Sequence, residues 1–538
     1  MIQPGSGGLY HPKNEDEIIE LIQYARQNKV QVRVRGAAQS ADGAVYADGY
    51  TDAGNPGNNI NIEPDQLRDI SLNKDNAQVT VGGGCNLGFD PFDPSKVSKP
   101  DSTDSSNNLF YFLNQNGLAI PNVANAIHQT VAGYISTGSS GGTLKHSFLE
   151  YILSIRLIDG TGKVQVFEKS ANPDDPFFGV GVSLGLLGII TQVVLQCVPA
   201  FNIIGQESTT KTIDCVNFDF FGNGVTGKPS LQSHITNTEF SRILWWPLNT
   251  LQRAISWEAR TMQPGDYNSN GNNTGTPTDF NPNPYTPIFP GVKLGSTEYR
   301  IPSEDFAATG FQLVATWPDW FYSILGHDPS ENTPVENILV TTVQMLFPYA
   351  YPLLTDMYFP VNTPLKPAKK FWDSWLGSLP VDKFEYSNNL FDLVYCEFWI
   401  DINKTNDVIN LLNNFYQAKG YTATGFYTLE ILAAKQTDFW LSPSYGGDKL
   451  RLNILYFRKS TFKPDDYFRQ FWDLFQTNQI DFRLHWGKSL PAAGDDLLPS
   501  YLTEQYPKWN NWKQLRSQLD PDNIFLTGYW KTHLGIPE

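Results

Sequence analysis

The sequence is poor in cysteine and in charge for its length. Of 538 residues only 4 are cysteines, and 17% are charged. The cysteines show neither a CxxC motif nor the spacing of a metal site, so we expect no metal, and they do not identify a redox compartment. They are Cys85, Cys197, Cys215 and Cys396.

Long apolar runs and basic segments are also missing. No uninterrupted apolar run of about 18 residues occurs, so we expect no membrane-spanning helix. The amino terminus lacks a basic segment followed by an apolar core, so no signal peptide is visible and a soluble protein is expected, in a compartment left open. The net charge of −16 argues against nucleic acid and anionic membranes as partners, since both bind basic surfaces.

Nucleotide-binding motifs occur only in fragments. GNGVTGKPS, from Gly222 to Ser230, matches GxGxxG and is one residue short of a P-loop. A P-loop needs a hydroxyl after its lysine and a helix beginning there, but Pro229 follows Lys228 and disfavours helix at that lysine. We therefore predict a plain loop. No Rossmann fingerprint stands in its proper context, so another fold must hold any dinucleotide.

What the chain does contain is ample core material for two or three domains. Aromatic residues make up 14% of the sequence, and the composition changes near residues 200 and 460. The composition therefore divides the chain into three stretches, 1–200, 201–460 and 461–538. The polar, proline- and glycine-rich stretch 263–287 is predicted to be a surface excursion.

Two stretches of small residues stand out in the amino-terminal part. A helical pattern over 14–29 leads into an alternating strand at 30–34, which ends in the sequence RGAAQS, from Arg35 to Ser40. A second stretch, from Thr130 to Gly142, is rich in glycine, serine and threonine. Small residues expose backbone amides, which bind phosphate oxygens. We call these stretches the first and second ribbons and predict that they lie together along a cleft.

These residues resemble a known flavoprotein family. The segments HPKNEDEIIELIQYARQNKVQVRVRGAAQS, GLAIPNVANAIHQTVAGYISTGSSGG, IRLIDGTGKV and GLLGIITQVVLQ follow the order seen in the vanillyl-alcohol oxidase/p-cresol methylhydroxylase (PCMH-type) family. Further along, RILWWPLN, LEILAAKQTDFWLSPSYG, RLHWGK and LDPDNIF are similar to the type II cholesterol oxidase and sugar-lactone/alditol oxidase branch. The likeness is vague between about residues 200 and 420.

The resemblance implies an α+β fold of two domains. A discontinuous FAD-binding domain is expected in 1–200 and is completed by 461–538, and a central substrate-binding domain with an antiparallel sheet is expected in 201–460. It also implies FAD as cofactor, with the first ribbon around the pyrophosphate. The residues expected to bind FAD are Arg35, Gly36, Ala37, Ala38, Gln39, Ser40, Pro121, Thr130, Gly133, Thr137, Gly138, Ser140, Gly142, Gly188, Ile190 and Tyr529.

The chain departs from the family at its usual points of flavin attachment. Many relatives place a histidine before the serine of the first ribbon and bond it to the flavin, but this chain has Gln39. No cysteine occurs between Ala124 and Gly133, where some relatives add a second link. We therefore predict non-covalent FAD. Cys85 is read as a buried structural residue, and Ser140–Gly141 replaces the family's frequent His–Gly pair.

Flavin oxidation of an alcohol needs a base for the hydroxyl proton and a positive charge near the flavin N1–C2=O edge. By resemblance Lys488, in HWGK, supplies the charge. His485 is the candidate base or orienting group, with a satisfied core histidine as the alternative. Relatives carry Glu-x-Arg before the LSP segment, whereas this chain has Glu430-Ile431-Leu432. A buried carboxylate without a partner tends to take up a proton, so we expect a less polar substrate or a partner such as Lys435.

These features favour an FAD-dependent alcohol oxidase or dehydrogenase that transfers hydride from the hydroxyl-bearing carbon to flavin N5, with O2 as the expected acceptor. Aromatic segments at 317–325, 347–361 and 369–377 favour a bulky apolar or sterol-like alcohol, although ordinary core packing explains them equally well. The alternatives are a sugar-lactone or polyol oxidase and, in another class, a non-catalytic protein that retains the fold. Substrate, electron acceptor and oligomeric state stay open.

Overall fold

A computed structural model describes residues 2–51, 58–88, 108–124, 126–222, 224, 227–248, 251–267, 281–282, 359–379, 393–420, 428–457, 463–491 and 500–536. Most of the surface excursion predicted at 263–287 lies outside the described residues. So do the aromatic segment 317–325 and nearly all of 347–361, which carried the expectation of an apolar substrate. The third such segment, 369–377, is described as a strand and a short turn.

The first helix, Glu15–Asn28, shows how closely the amino-terminal part follows its sequence. The Asn14 side chain caps it by accepting from the backbone N–H of Glu17, and Lys29 ends it in a left-handed conformation. Its apolar stripe is buried in the core. The helix leads to strand β2 (Val32–Val34), which lies in a parallel sheet of order β1-β3-β2 with β1 (Leu9–Tyr10) and β3 (Ile60–Ile62).

A second, five-stranded antiparallel sheet completes the amino-terminal half. Its order is β4-β5-β9-β7-β8. The strands are β4 (Ile70–Asn73), β5 (Gln78–Gly82), β7 (Ile152–Ile158), β8 (Val164–Glu168) and β9 (Ile189–Gln196). Strands β7 and β8 form an antiparallel pair at one edge of this sheet. A short antiparallel pair, β6 (Leu118–Ala119) and β10 (Val198–Pro199), lies beside them.

The central part forms a nine-stranded sheet of order β14-β15-β11-β13-β12-β17-β18-β16-β19. All its neighbouring strands are antiparallel except β14 and β15. The strands are β11 (Asn202–Lys211), β12 (Phe240–Trp246), β13 (Arg253–Thr261), β14 (Asn281–Pro282), β15 (Lys369–Ser374), β16 (Leu393–Asp401), β17 (Leu429–Ala434), β18 (Lys449–Phe457) and β19 (Phe482–Leu484). The α+β class with a central antiparallel sheet is therefore confirmed.

One face of this sheet is covered by the helix Pro464–Thr477. Phe475 of that helix packs on Phe398 of β16, with ring centroids 5.0 Å apart. Because side chains alternate along a strand, Glu397 and Trp399 point to the opposite face. That opposite face meets the amino-terminal half of the chain and carries the charged residues described below.

The carboxyl-terminal residues return to the amino-terminal half. Val32 donates its backbone N–H to the Ile524 carbonyl at 2.8 Å, and the Trp530 indole donates to the Ala44 carbonyl at 3.1 Å. Strand β19 also lies in the segment 461–538, but it pairs with β16 and extends the nine-stranded central sheet. The domain limits at 200 and 460 therefore stay predictions. The other α-helices in the described part of the chain are Asp42–Val45, Leu109–Gln115, Val131–Ser136, Phe177–Val180, Leu231–Asn237, Thr405–Lys419, Ser500–Glu504, Trp509–Leu519 and Gly528–Leu534.

Candidate active site

A cleft of about 960 Å³, partly open to solvent, lies between the two ribbons. Of the residues that the sequence predicted for cofactor binding or catalysis, it is lined by Gly36, Ala37, Ala38, Gln39, Ser40, Thr130, Gly133, Thr137, Gly188, Ile190, His485 and Lys488. Sequence reasoning missed other lining residues, among them Arg33, Gln129, Ser139, Gly185, Trp486 and Trp530. Both ribbons thus meet the carboxyl-terminal HWGK segment at one cavity.

The first ribbon presents unused backbone donors to this cleft. Arg35 donates its backbone N–H to the Ile62 carbonyl, and Ala41 donates to the Gly487 carbonyl. Between them, the backbone N–H groups of residues 36–40 have no acceptor among the residues that the structure describes. Ala38 is in a left-handed conformation, with φ 51°. Successive unpaired amides in such a turn form a phosphate nest, so the ribbon fits the pyrophosphate of FAD.

A buried arginine holds the floor of the cleft together. The Arg33 guanidinium donates to the carbonyls of Gly185 at 2.9 Å and of Leu184 at 3.0 Å, and also to the Ala44 carbonyl. Burial lowers the pKa of Arg33 to about 10, so it stays charged at neutral pH. Arg35 is instead ion-paired with Glu63, with 3.0 Å between Nη2 and Oε2. Arg33 thus places a positive charge where a diphosphate is expected.

Gly36 gives the first test of this cleft. A Cβ at Gly36 would lie 2.3 Å from Thr130 Oγ1, which is itself held as the cap of the helix Val131–Ser136. We expect Gly36→Ala to weaken FAD binding about 10- to 100-fold, because overpacking costs about 1–3 kcal/mol. Titration of apoprotein with FAD measures the effect. Gly265→Ala is the matched control, since a Cβ there meets nothing within 4 Å; equal affinities for both variants would contradict the assignment.

The second ribbon is fixed to the nine-stranded sheet through its backbone. Arg451 of β18 donates from Nη1 to the carbonyls of Ser140 and Gly141, each at 2.7 Å. The Asn122 side chain accepts from the Gly141 N–H at 2.9 Å, and Ser241 donates to the Gly142 carbonyl at 3.1 Å. These bonds hold the ribbon at a set position over the sheet.

The HWGK segment forms a tight turn against both ribbons. A Cβ on Gly487 would lie 2.7 Å from Ser40 Oγ and 3.4 Å from Thr137 Cγ2, so only glycine fits this corner. His485 is buried, and its Nε2 is 3.0 Å from Ser139 Oγ. Lys488 Nζ lies 4.8 Å from the centroid of the Tyr395 ring. Burial lowers the pKa of Lys488, opposed by the negative charge of Glu397.

Two buried ion pairs lie on the sheet face beneath this turn. Arg242 of β12 donates from Nε to Glu430 Oε1 at 2.7 Å, and Arg451 donates from Nε to Glu397 Oε1 at 2.9 Å. Asn453, between the two acids on β18, donates to Glu430 Oε2 at 3.2 Å. Burial raises the pKa of Glu397, but nearby positive charge, that of Arg451 first, and the hydrogen bond from Arg451 together outweigh burial and hold that pKa at about 2.

The expectation of an unpaired Glu430 was therefore wrong. Its arginine partner stands on the neighbouring strand β12 rather than two residues along β17. Lys435, suggested as the partner, pairs with Glu150 instead, with 2.6 Å between Nζ and Oε2. Glu430 therefore no longer supports a less polar substrate, because its carboxylate is ion-paired with the buried Arg242 guanidinium.

Seven predicted site residues are outside the lining that the described residues form. They are Arg35, Pro121, Gly138, Ser140, Gly142, Tyr529 and Glu430. At Gly142 the neighbouring sheet leaves no space for a side chain, since a Cβ there would lie 2.6 Å from the Ser241 carbonyl oxygen. Tyr529 packs its ring over Gly43 and stands 4.0 Å from the His533 ring. Their roles in binding or catalysis stay predictions.

The cysteines and the partial nucleotide motif lie apart from this cleft. All four cysteines are buried, and burial raises the pKa of the Cys85 thiol to about 12. Lys228 of the near-P-loop donates to the Cys215 carbonyl, and the following helix begins only at Leu231. Within the described ranges, His, Cys, Asp and Glu side chains form no group that could hold a metal ion.

Buried histidines give a prediction for acid stability. Burial lowers the pKa of His128, His234 and His485 from 6.5 to about 4. The unfolded chain therefore takes up these protons first as the pH falls, and stability is lost between pH 6.5 and 4, by about 1.4 kcal/mol per pH unit for each histidine. Urea midpoints across this window measure the slope. His485→Gln is expected to reduce it, and midpoints independent of pH would contradict the prediction.

Comparison with known proteins agrees with this geometry. The family model "FAD binding domain" matches residues 7–88, and the model "D-arabinono-1,4-lactone oxidase" matches residues 379–533. L-gulonolactone oxidase from Mus musculus is 22% identical over 97% of this chain and 93% of its own length. D-arabinono-1,4-lactone oxidase from Candida glabrata is 27% identical over 47% of this chain and 42% of its own length.

Solved structures give the same fold. A cholesterol oxidase from B. sterolicum superposes with a TM-score of 0.64 over 97% of this chain and 93% of its own, at 15% identity. A solvent-stable cholesterol oxidase gives a TM-score of 0.62 over 98% of this chain and 94% of its own, at 14% identity. These matches confirm the resemblance to the PCMH-type FAD flavoproteins. The chain is an FAD-dependent oxidase. In the described ranges, none of its helices is both long and apolar enough to cross a bilayer.

Proposed function

We propose that this oxidase removes hydride from a hydroxyl-bearing carbon of a sugar lactone or related polyol. The observation that carries the proposal is the match to the D-arabinono-1,4-lactone oxidase model over residues 379–533, the range that holds Glu430, His485 and Lys488. Relatives named as L-gulonolactone oxidases extend over nearly the whole chain. Polar side chains that line the cleft, among them Gln129, Thr137 and Ser139, fit a polyhydroxylated substrate because they can hydrogen-bond its hydroxyl groups.

A sterol-like or other bulky apolar alcohol, the reading that the sequence favoured, takes second place. Its support is the fold of the cholesterol oxidases, which at 15% identity carries no substrate assignment. The aromatic segments behind that reading lie largely outside the described residues. The sequence relatives favour the lactone alternative instead.

The residues of the chain divide the chemistry among them. FAD, when bound, supplies the hydride acceptor at N5, and dioxygen is proposed as the final electron acceptor. Lys488 places its positive charge at the cleft wall, where negative charge develops on flavin reduction. Glu430 lies beneath the turn, paired with Arg242, and the nest at residues 36–40 holds the pyrophosphate. His485 orients groups at the corner between the ribbons.

Anaerobic bleaching of the bound flavin tests the substrate class. We expect aldonolactones or alditols to bleach the flavin absorbance, whereas sterols and long-chain alcohols leave it unchanged. The reaction is then followed on readmission of air, which restores the colour if O2 is the acceptor. Bleaching by sterols alone would overturn the proposal. A purified protein that takes up no FAD would support a non-catalytic role.

Cofactor attachment has its own test. Because Gln39 cannot form the bond that a histidine makes at this position in many relatives, we propose that FAD is bound non-covalently. Acid precipitation is expected to release all flavin colour into the supernatant. Gln39→His is the matched variant: flavin that stays with the pellet only in that variant identifies residue 39 as the attachment point. Flavin retained by the unaltered chain would refute non-covalent binding.

A further inference from the structure

We propose that Ser139 is a positioning residue that fixes His485 as its neutral Nε2–H tautomer. As a consequence, the hydroxyl groups of Ser139 and Thr137 at the cleft wall can accept hydrogen bonds from a ligand but cannot donate them. The inference deepens the proposed function at the same site. Its tautomer part does not depend on which substrate is oxidised. Its ligand part rests on the proposed function.

The direction of the hydrogen bonds is set at one end by a backbone group. The Gly487 N–H lies 3.1 Å from His485 Nδ1 and can only donate, so Nδ1 must accept. A neutral imidazole with its lone pair on Nδ1 carries its proton on Nε2. Nε2 therefore donates to Ser139 Oγ, 3.0 Å away.

The other end is set by a carbonyl, which can only accept. Thr137 Oγ1 lies 3.2 Å from the Gly133 carbonyl oxygen and 3.4 Å from the Tyr134 carbonyl oxygen. The Thr137 hydroxyl therefore donates its proton to these carbonyls. Ser139 Oγ is 3.0 Å from Thr137 Oγ1, and it must be the donor of that pair. Each group in this chain of hydrogen bonds therefore donates to the next. The Gly487 N–H donates to His485, His485 to Ser139 and Ser139 to Thr137, and Thr137 donates to carbonyl groups of the helix Val131–Ser136.

Two consequences follow for chemistry at this corner. His485 cannot take a substrate proton at Nε2, because that nitrogen already carries one; it is an orienting group and not the base. Ser139 and Thr137 have each used their only hydroxyl proton, so the lone pairs that they keep at the cleft can only accept. This wall therefore recognises an N–H or O–H group of the ligand and disfavours a carbonyl.

The backbone around Ser139 is held in place for this role. Arg451 fixes the next two carbonyls of the ribbon, and the Ser139 N–H donates to the Tyr134 carbonyl at 3.1 Å. Ser139 is 7% exposed, so its hydroxyl has little access to other partners. The ribbon carries the serine, and the sheet sets its position relative to His485.

Nitrogen-15 NMR of the holoenzyme with labelled histidine tests the tautomer, and the chain has only 7 histidines. We expect one resonance pair, assigned by its loss in His485→Gln, with a protonated Nε2 and an unprotonated Nδ1. Ser139→Ala is expected to broaden or shift that pair, and Ser139→Thr to restore it. Ser183→Ala removes another buried hydroxyl, which is outside the chain of bonds, and should leave that resonance pair unchanged. Protonated Nδ1 would overturn the inference.

The ligand part is tested with FAD methylated at N3, which lacks the ring N–H. If the wall accepts from the flavin, wild-type apoprotein binds N3-methyl FAD about tenfold more weakly than FAD, and Ser139→Ala removes that difference. If the donor is a substrate hydroxyl, both flavins bind alike and Ser139→Ala raises KM for the lactone with kcat nearly unchanged. Either result supports an acceptor wall. A Ser139→Ala variant with neither change refutes it, whatever substrate the enzyme oxidises.

Discussion

Lys488→Met is expected to slow reduction of the bound flavin by substrate about 100- to 1000-fold, the usual effect of removing a charge aimed at a developing anion. The two arginines on the sheet face are each neutralised by a glutamate: Arg242 by Glu430, and Arg451 by Glu397. Lys488 adds a positive charge that those pairs leave uncancelled. FAD affinity is expected to change little, because the proposed pyrophosphate nest is in the first ribbon.

Stopped-flow measurement of anaerobic flavin reduction gives this rate directly. Lys435→Met is the matched control, since its lysine pairs with Glu150 and does not line the cleft. Burial lowers the pKa of Lys488, so the positive charge is lost as the pH rises, at a lower pH than for an exposed lysine. Lys488→Arg should retain activity at higher pH. An unchanged reduction rate in Lys488→Met would exclude the electrostatic role.

Arg242→Met is expected to destabilise the fold by about 3–5 kcal/mol, because it leaves the Glu430 carboxylate buried without its cation. Arg242 is 3% exposed and Glu430 is 1% exposed, so water cannot take over the lost interaction. The double variant Arg242→Met/Glu430→Gln removes both charges and is expected to recover much of the loss. Its recovery separates the cost of an isolated charge from the cost of altered packing.

Urea unfolding followed by tryptophan fluorescence measures this series, since Trp245 and Trp246 lie on the same strand as Arg242. Arg260→Met is the control: its partner is Asp266, and the Arg260 side chain is 52% exposed. An exposed pair of this kind contributes at most about 1 kcal/mol. If the double variant were no more stable than Arg242→Met, the ion pair would not be the source of the loss.

Local patterns predicted the elements and the ribbons well. The helix Glu15–Asn28 follows from its cap and apolar spacing, and the cleft-lining residues 36–40 follow from the absence of side chains after a strand. The same logic also selected Ser140 and Gly142, which are not among the residues that line the cleft. Small residues admit a neighbouring sheet as readily as a cofactor, and at these positions Arg451 and Ser241 approach the ribbon instead.

Partners distant in sequence escaped local reasoning. Arg242 and Glu430 are 188 residues apart, and Ser139 and His485 are 346 apart. Such pairs depend on the order of strands in the sheet, which periodicity does not reveal. The missing arginine at Leu432 was visible in the sequence, but its replacement on β12 depended on which strand lies beside β17.

The cleft draws its walls from nearly the whole length of the chain, from Arg33 near one end to Trp530 near the other. During synthesis on the ribosome, the early ribbons emerge hundreds of residues before the HWGK turn and the last helix that close the cavity around them. Stable flavin loading must therefore wait until the HWGK turn and the helix Gly528–Leu534 have been synthesised. A nascent chain stalled before residue 485 should remain colourless however much FAD is supplied.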